Sequence, residues 1–326
     1  MSDFIILTDS SADLDGEMAQ RLDVQVLPLS FTIGGRTYHN YPDNREMDPH
    51  LFYERLRAGE VATTSAVNVA QYTEALTPLL QAGKDVLILA FSSGLSATYS
   101  SSVIAVEDLR EKFPQRKIFT VDTLCASLGQ GLLVYLAAQQ RAQGKSIEEV
   151  RDWTEAHKLQ LCHQFTVDDL HFLKRGGRIS ATTAVVGSML QIKPVLHVDN
   201  EGHLVNISKA RGRRASLKAL VDKMEQTAID PADQTVFISH GDCLEDAQLV
   251  AQMVKDRFNV QEVYLNYVGP VIGAHSGPGT LALFYVGERK PGPYIVVLVS
   301  AFAIFLLFKN VFNISLPALG LLGGII

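Results

Sequence analysis

Short apolar segments recur along this chain, and each is followed by a small polar loop and then by a segment of helical composition. The first covers residues 4–8, with polar residues 9–11 after it and a helical segment at 15–22. The same order is repeated after the segments at 85–91, 117–121 and 234–239. Strands that alternate with helices in this way are typical of α/β layers. The sequence therefore predicts an α/β fold with mostly parallel sheets.

Helices are predicted from composition and from their start signals. They cover residues 48–58, 68–82, 96–113, 126–143, 146–161 and 244–258. Asp48 and Pro49 supply an N-cap and a first-turn proline for the first of these helices. Ser146 and Glu149 form a capping box for the fifth. These signals fix where the two helices begin.

The length of 326 residues is typical of two domains rather than one small core. The long helical stretch ends near residue 160, and a new strand-like segment begins at His163. We therefore expect an N-terminal α/β domain over residues 1–162 and a C-terminal α/β domain over 163–290. Two domains imply a cleft between them.

Residues 291–326 form a hydrophobic C-terminal tail. The segment 294–308 is apolar apart from Ser300, but it is shorter than the ~20 residues that a membrane span usually needs. Extension past Lys309 to residue 316 gives an adequate length. Arg289 and Lys290 would then hold the folded part on the cytoplasmic side, at the inner face of the cell membrane. The alternative is a hydrophobic terminal helix that docks on the protein or on a partner.

Charge and cysteine content exclude several classes of function. A net charge of −6 disfavours a nucleic-acid partner. Cys125, Cys162 and Cys243 lack the paired spacing of a zinc or redox site, so we interpret them as buried thiols in a reducing cytoplasm. The nine histidines show no metal-binding pattern, and the N-terminus does not resemble a signal peptide. The sequence predicts a cytoplasmic protein without a metal or cofactor.

Polar clusters near the ends of predicted strands are the candidate binding residues, because ligands of open α/β sheets collect beyond the carboxyl ends of the strands. The clusters lie at residues 8–11, 63–65, 92–94, 122–123, 174–178 and 271–280. Hydroxyl groups dominate them, together with a few cations and His275. Such donors satisfy an acceptor-only carboxylate, and the pocket suits a fatty acid. For residues 63–65 and 92–93 the alternative is capping of the next helix.

The segment 271–280 contains His275, three glycines and a proline. Glycines let a backbone approach a bound group closely, and histidine can donate to an anion. The segment therefore predicts a ligand loop. The alternative is a tight turn whose histidine satisfies a neighbouring group.

Several motifs, taken together and in order, resemble the DegV family, bacterial fatty-acid-binding proteins that partner a fatty-acid kinase. They are TDSSADL (8–14), TTS (63–65), SSGLSATY (92–99), VDT (121–123), LKRGGRIS (173–180), IKPVLHVDNEG (192–202), SKARGRRA (208–215) and IGAHSGPGTLAL (272–283). The resemblance implies a two-domain α/β fold with one long-chain fatty acid in an internal tunnel between the domains. It implies no cofactor and no enzymatic activity of its own.

By motif position, the resemblance implies that Thr64, Ser93 and His275 contact the carboxyl group of the fatty acid. Arg178 would lie near that group and affect binding or release. Family members of this kind present the acid to the kinase and carry the acyl phosphate onward to phospholipid synthesis. In the basic stretch 208–215, Arg211 or Arg213 would face the kinase, unless these residues are simply a solvated charge run.

Two further expectations concern access to the ligand and its lipid source. The apolar, glycine-containing segment 180–192 is a candidate lid, although core packing explains any one residue there equally well. If the tail spans the bilayer through residues 294–316, it would hold the opening near the lipid that supplies the acid.

Two other functional classes compete with the binding protein. Residues 94–98 nearly match the nucleophile elbow of α/β hydrolases, but Thr98 replaces the last glycine. An acyl-ester hydrolase would use Ser93 or Ser96 as the nucleophile and His275 as the base. A membrane-tethered scaffold with a vestigial pocket is the third hypothesis.

Overall fold

The strands of the protein are defined by a computed structural model that describes residues 4–179 and 192–289. In chain order they are Phe4–Asp9 (β1), Val24–Leu27 (β2), Ser30–Ile33 (β3), Arg36–His39 (β4), Ala62–Ser65 (β5), Asp85–Ala90 (β6), Ile118–Asp122 (β7), Leu161–Thr166 (β8), Ile192–Val198 (β9), Leu204–Arg211 (β10), Thr235–His240 (β11), Glu262–Tyr267 (β12) and Leu281–Val286 (β13). They form three sheets.

The helices alternate with these strands over much of the chain. They are Gly16–Arg21 (α1), Pro49–Arg57 (α2), Val69–Gln81 (α3), Thr98–Lys112 (α4), Leu128–Ala142 (α5), Ile147–His157 (α6), Leu170–Arg175 (α7), Arg213–Thr227 (α8), Leu244–Phe258 (α9) and Pro270–Ser276 (α10). Short 3-10 turns cover Ser10–Ala12, Lys158–Gln160 and Pro231–Asp233. The predicted helices are confirmed to within a few residues at each end.

The predicted helix starts are confirmed by side-chain capping. The Asp48 carboxylate accepts the Leu51 amide, and Ser146 and Glu149 form the reciprocal capping box at α6. At α3 the capping box uses Asn68 and Gln71 instead of residues 63–65. The alternative that residues 63–65 cap this helix is therefore wrong, because they form strand β5.

The first sheet is fully parallel, with the strand order β2-β1-β6-β7. Its central strands are buried on both faces, and Ile6 lies opposite Leu87 in the register. A small antiparallel sheet, β4-β3-β5, packs nearby. Within it Thr64 lies opposite Phe31 of the central strand. These two sheets contain all the described strands that precede residue 123.

The largest sheet corrects the expectation of mostly parallel sheets. It has six strands in the order β10-β9-β8-β13-β11-β12, and only the β11–β12 pair is parallel. Strands β9 and β10 are joined directly by the short turn at residues 199–203, which forces them to run in opposite directions. The α/β fold class is confirmed, but parallel pairing dominates only the first sheet.

Helix α5 packs between the two large sheets. It contacts β1 of the parallel sheet and β8, β11 and β13 of the six-stranded sheet. Two of its glycines permit this close approach. A Cβ atom at Gly129 would lie 2.1 Å from Nε2 of His163, and one at Gly131 would lie 2.6 Å from the carbonyl oxygen of Ala12. A larger side chain at either position would require the His163 ring or the backbone at Ala12 to move.

The folded residues up to Arg289 pack as one compact unit. The predicted domain border at 162/163 falls within β8, where the chain enters the six-stranded sheet, and the division into two domains stays a prediction. The candidate lid at 180–192, except Ile192, lies outside the described residues. The tail at 291–326, with its candidate span at 294–316, does so too. No helix within the described ranges has the length and apolar character that crossing a membrane requires.

Candidate functional site

A cavity of about 280 Å³ lies beyond the carboxyl ends of β6 and β7, against one face of the six-stranded sheet. Phe91 and Ala126 line it from the segments that follow these two strands. Phe165 and Ala282, which lie opposite each other on β8 and β13, line it from the sheet. The volume is near the lower end of the roughly 300–1,000 Å³ typical of small-molecule sites.

The wall of this cavity is mainly apolar. The apolar side chains that line it are Leu29, Ala66, Phe91, Leu95, Ala97, Ala126, Phe165, Leu173, Val198, Leu204, Val268, Val271, Ile272, Ala282 and Phe284. A wall of this kind stabilises a hydrocarbon ligand by removing its surface from water. The cavity therefore favours a ligand with a long apolar part.

Thr64 and His275 form a polar pair on the cavity wall. Oγ1 of Thr64 lies 2.8 Å from Nε2 of His275. Thr64 belongs to β5, and His275 belongs to the last turn of α10, which packs against β5. Both side chains line the cavity. A hydroxyl group can donate and accept, so the pair can present a proton to an acceptor in the cavity.

The electrostatic surroundings of His275 keep its imidazole neutral. Burial lowers the pKa of His275 to about 4, and the nearby guanidinium groups of Arg178 and Arg175 act in the same direction. Burial also lowers the pKa of Arg178, but a guanidinium remains charged at neutral pH. Arg178 lines the cavity and donates to the carbonyl oxygen of Gly176. This end of the cavity thus combines neutral donors with a cation, which suits an anionic head group.

Glycines allow the turn around His275 to pack closely. A Cβ atom at Gly176 would lie 2.3 Å from Nδ1 of His275, and one at Gly277 would lie 2.6 Å from the ring of Phe172. Gly277 and Gly279 also have positive φ angles of 81° and 74°. The prediction of a loop across 271–280 is wrong for its first part, because Pro270 begins helix α10. The glycine turn follows that helix.

Ser96, and not Ser93, reaches the cavity. Ser93 is exposed and is absent from the cavity wall, and its amide donates to the Asp122 carboxylate. The chain turns directly after β6, where the Ser96 amide donates to the carbonyl oxygen of Ser92. This turn carries Ser96 to the cavity wall. Ser93 therefore lies off the wall of this cavity and Ser96 lies on it, and the contact between Ser93 and a ligand stays a prediction.

The hydroxyl groups of this turn also show whether its serines cap helix α4. The Ser92 hydroxyl donates to the carbonyl oxygen of Gly202 and accepts the Gly94 amide, so it does not cap α4. Ser96 accepts the amide of Thr98, the first residue of α4. The Ser96 hydroxyl therefore supports the helix start and lines the cavity at the same time.

A further hydroxyl group at this end belongs to the predicted ligand loop at 271–280. Ser276 follows His275 directly, is 5% exposed and lines the cavity. Its Oγ is buried without a hydrogen-bond partner among the described residues. Buried polar groups are normally paired, so this hydroxyl has hydrogen-bonding capacity that its described neighbours do not use.

The two arginines predicted to face a kinase have different surroundings. Arg213 forms ion pairs with Asp246 and Asp168, with Nε 2.8 Å from the Asp246 carboxylate. Arg211 is exposed at the end of β10, and its side chain has no ion pair within the described residues. Of the two, Arg211 is accessible to a partner.

Comparison with known proteins identifies the family. Residues 3–288 match the DegV family of uncharacterised proteins. The chain belongs to the DegV family. A DegV domain-containing protein of Clostridium perfringens is 48% identical over 290 residues, which are 89% of this chain and 99% of that relative. The family predicted from the ordered motifs is confirmed.

Solved DegV-family structures share the fold. A protein of Thermus thermophilus, described as a fatty-acid-binding DegV family protein, is 29% identical, with a TM-score of 0.76 over 87% of this chain and 99% of that chain. DegV of Bacillus subtilis, described as a fatty acid binding protein, is 28% identical, with a TM-score of 0.75 over 88% of this chain and 100% of that chain. The relatives confirm the α/β fold class.

Further polar residues line the cavity. Ser127, His163 and Ser239 lie outside the candidate clusters, whereas Thr280 lies inside the cluster around His275. His163 is fully enclosed, and its two ring nitrogens lie near the carbonyl oxygen of Leu161 and the amide of Ala126. Ser239 lies near the carboxyl end of β11. Because ligands bind near such strand ends, this position could have identified Ser239 as a candidate cavity residue from the sequence.

The carboxylates of Asp169 and Asp199 stabilise a helix start and a turn. Asp169 accepts the His171 amide at the start of α7, as a helix cap does. Asp199, Glu201 and His203 bring their ligand atoms within 4.8 Å of one another. However, the Asp199 carboxylate already accepts the amides of Glu201 and His203 at 2.9 Å, as expected for a residue that stabilises the β9–β10 turn.

Proposed function

We propose that this protein binds one long-chain fatty acid in the cavity. The carboxylate lies among the hydroxyl groups of Thr64, Ser96 and Ser276 and the imidazole of His275, with Arg178 nearby. The acyl chain lies along the apolar wall. The proposal agrees with the DegV resemblance, with Ser96 in place of Ser93.

The Thr64–His275 pair on the wall of an apolar cavity is the observation that carries this proposal. Its hydrogen bond of 2.8 Å holds both side chains at the cavity wall. The unpaired Ser276 hydroxyl stands next to it in sequence and adds a donor that a carboxylate oxygen can accept. The descriptions of the Thermus and Bacillus relatives as fatty-acid-binding proteins support the same ligand class.

The two ends of the ligand make different contributions to the binding free energy. Each buried methylene contributes roughly 0.8 kcal/mol, so about fifteen of them give a gross transfer free energy on the order of 12 kcal/mol before ordering costs. A hydrogen bond to the charged carboxylate contributes about 1.5–3 kcal/mol. The acyl chain therefore supplies most of the affinity, and the polar groups fix its orientation.

The hydrolase alternative has no support in the geometry. Nε2 of His275 pairs with Thr64, and neither Ser93 nor Ser96 forms a hydrogen bond with a histidine within the described residues. A serine nucleophile needs a base within hydrogen-bond reach. The binding function is therefore preferred.

The bound fatty acid also serves as the substrate of a second protein in this proposal. Its carboxylate is presented to a fatty-acid kinase, which transfers the γ-phosphoryl group of ATP to a carboxylate oxygen and releases ADP. The binding protein then carries the acid or its acyl phosphate to lipid metabolism. The exposed guanidinium of Arg211 supports a docking role toward the kinase.

Extraction of the purified full-length protein tests the binding function directly. Organic-solvent extraction and mass spectrometry are expected to yield about one long-chain fatty acid per chain without added ligand. Oleate titration of delipidated protein is expected to saturate at the same stoichiometry. Protein that is free of lipid after purification and does not bind oleate would contradict the proposal.

A further inference from the structure

A pair of hydroxyl groups lies on the cavity wall apart from the carboxylate-binding residues. Oγ of Ser127 lies 2.9 Å from Oγ of Ser239, and both residues line the cavity. Ser239 belongs to β11, opposite Ala282 of β13, and therefore shares the sheet face that Ala282 presents to the cavity. Ser127 directly precedes helix α5. Two converging hydroxyl groups are unusual in a wall that otherwise suits hydrocarbon.

A buried carboxyl group holds this pair from behind. The Ser127 hydroxyl shares a hydrogen bond with Oδ2 of Asp13, and the Gly269 amide donates to Oδ1 at 3.0 Å. Asp13 is buried, and burial raises its pKa to about 8, so it is largely protonated at pH 7. Ser127 occupies the N-cap position of α5, but its side chain makes no capping hydrogen bond. Its hydroxyl is instead committed to Asp13 and Ser239.

The hydroxyl pair is separated from the carboxylate end by helix α10. Gly269, the N-cap of this helix, contacts Asp13 behind the pair, whereas His275 in its last turn contacts Thr64. Six residues of α-helix at a rise of about 1.5 Å each span roughly 9 Å. The hydroxyl pair and the Thr64–His275 pair are therefore associated with opposite ends of this helix.

The pair, in which Ser127 is 5% exposed and Ser239 is 0% exposed, retains hydrogen-bonding capacity beyond its contact with Asp13. Each serine hydroxyl has one proton and two acceptor positions. When Asp13 donates to Ser127, and Ser127 to Ser239, the Ser239 proton is left for the cavity. When the chain of donors runs the other way, an acceptor position of Ser239 is left instead. A methylene group satisfies neither arrangement, whereas a ligand hydroxyl satisfies both.

We propose that Ser239, supported by Ser127, binds a hydroxyl group in the middle of the acyl chain, so that the cavity takes hydroxylated long-chain fatty acids. The inference rests on the proposed fatty-acid-binding function and names the class of acid that this cavity selects. Ser239 is the specificity residue, and Ser127 and Asp13 position its hydroxyl.

Competition binding with positional isomers tests this inference. Delipidated full-length protein is titrated with stearate and with its 2-, 9-, 10- and 12-hydroxy derivatives, and each affinity is expressed relative to stearate. At least one mid-chain isomer is expected to bind as tightly as stearate or more tightly. Ser239→Ala is expected to lower that isomer's relative affinity about tenfold, as the loss of one hydrogen bond implies.

Matched measurements separate this effect from general damage to the site. The relative affinity of 2-hydroxystearate should not depend on Ser239, because its hydroxyl lies beside the carboxylate. Ser96→Ala should weaken stearate and the mid-chain isomer by the same factor. Ser239→Thr keeps the hydroxyl and should retain the preference, and Ser127→Ala is a second variant that should reduce it.

The outcomes distinguish this inference from the function on which it rests. Failure of the wild-type protein to bind stearate or oleate overturns the proposed function. If stearate binds normally and every mid-chain isomer binds more weakly than stearate to the same degree in the wild type and in Ser239→Ala, only the proposed role of Ser239 is overturned.

Discussion

Nε2 of His275 lies 2.8 Å from Oγ1 of Thr64, while Nδ1 on the opposite side of the same ring faces the backbone of Gly176. The imidazole is therefore held on both edges by segments that are distant in the sequence. Strand β5 supplies one contact and the end of helix α7 supplies the other. A fixed ring orientation reduces the ordering cost of binding a carboxylate, because the donor geometry exists before the ligand arrives.

Thr64→Val tests the hydroxyl of this pair. The change keeps the β-branched shape in strand β5 but removes the hydrogen bond to His275 and the donor to the carboxylate. Oleate affinity is expected to fall about 10- to 100-fold, which corresponds to a hydrogen bond with a charged group. Thr63→Val is the matched control, because Thr63 is exposed on the same strand. Equal affinities of the two variants would exclude Thr64 from the site.

Ser96→Ala and Ser93→Ala test which of the two serines contacts the ligand. Ser96 lines the cavity and Ser93 does not. We expect Ser96→Ala to weaken oleate binding about tenfold, and Ser93→Ala to bind oleate as the wild type does, both measured by isothermal titration. The reverse order of affinities would return the ligand contact to Ser93.

Gly176→Ala tests the close packing against His275. The new Cβ would lie 2.3 Å from Nδ1, so the ring must move away from Thr64. Oleate affinity is expected to fall at least tenfold. Gly177→Ala is the comparison, since Gly177 has a φ of 72° but no neighbour within 4 Å. That variant should lose about 1 kcal/mol of unfolding free energy through backbone strain and keep its oleate affinity. Wild-type affinity of Gly176→Ala would show that the ring position does not matter.

The local sequence predicted the local structure well. Asp48 with Pro49, and Ser146 with Glu149, mark helix starts through contacts only a few residues long, so their effect is independent of the rest of the fold. The ordered motifs also identified the family and three of the cavity residues, namely Thr64, Arg178 and His275.

The contacts between distant parts of the chain could not be predicted from the local sequence. Ser93 and Ser96 are chemically identical, and only the turn after β6 decides which one reaches the cavity. The relative directions of strands β8 to β13 depend on the path that the connecting segments take across the sheet. A local sequence pattern does not contain this information. Asp13 and Ser127 are 114 residues apart, and neither indicates the other in the sequence.

Asp13 predicts a pH dependence of stability. Burial raises its pKa from 3.8 to about 8, so between these values the folded state holds a proton that the unfolded state has lost, and stability falls as pH rises. His275 and His197, whose pKa values are lowered to about 4, act in the opposite sense, as do His163 and His240, whose pKa values burial also lowers. Between pH 6.5 and 8 the contribution of Asp13 to the unfolding free energy should therefore fall by about 1–2 kcal/mol.

Asp13→Asn isolates this contribution, because asparagine does not titrate. Urea unfolding at pH 6.5 and 8 should show this loss of about 1–2 kcal/mol in the wild type relative to the variant. Asp9 is also buried with a raised pKa, and it remains titratable in both proteins. An unchanged pH slope in Asp13→Asn would mean that Asp13 is already ionised in the folded state.

Arg211→Ala and Arg213→Ala separate partner docking from stability. Arg213 pairs with Asp246 and Asp168, so its removal should lower the unfolding free energy by about 1 kcal/mol. Arg211 is exposed, so its removal should leave stability unchanged while lowering the rate at which a fatty-acid kinase phosphorylates the bound acid. Because docking is a charge effect, the wild-type rate should fall with added salt more steeply than that of Arg211→Ala. Identical rates and identical salt dependence would place the kinase contact elsewhere on the protein.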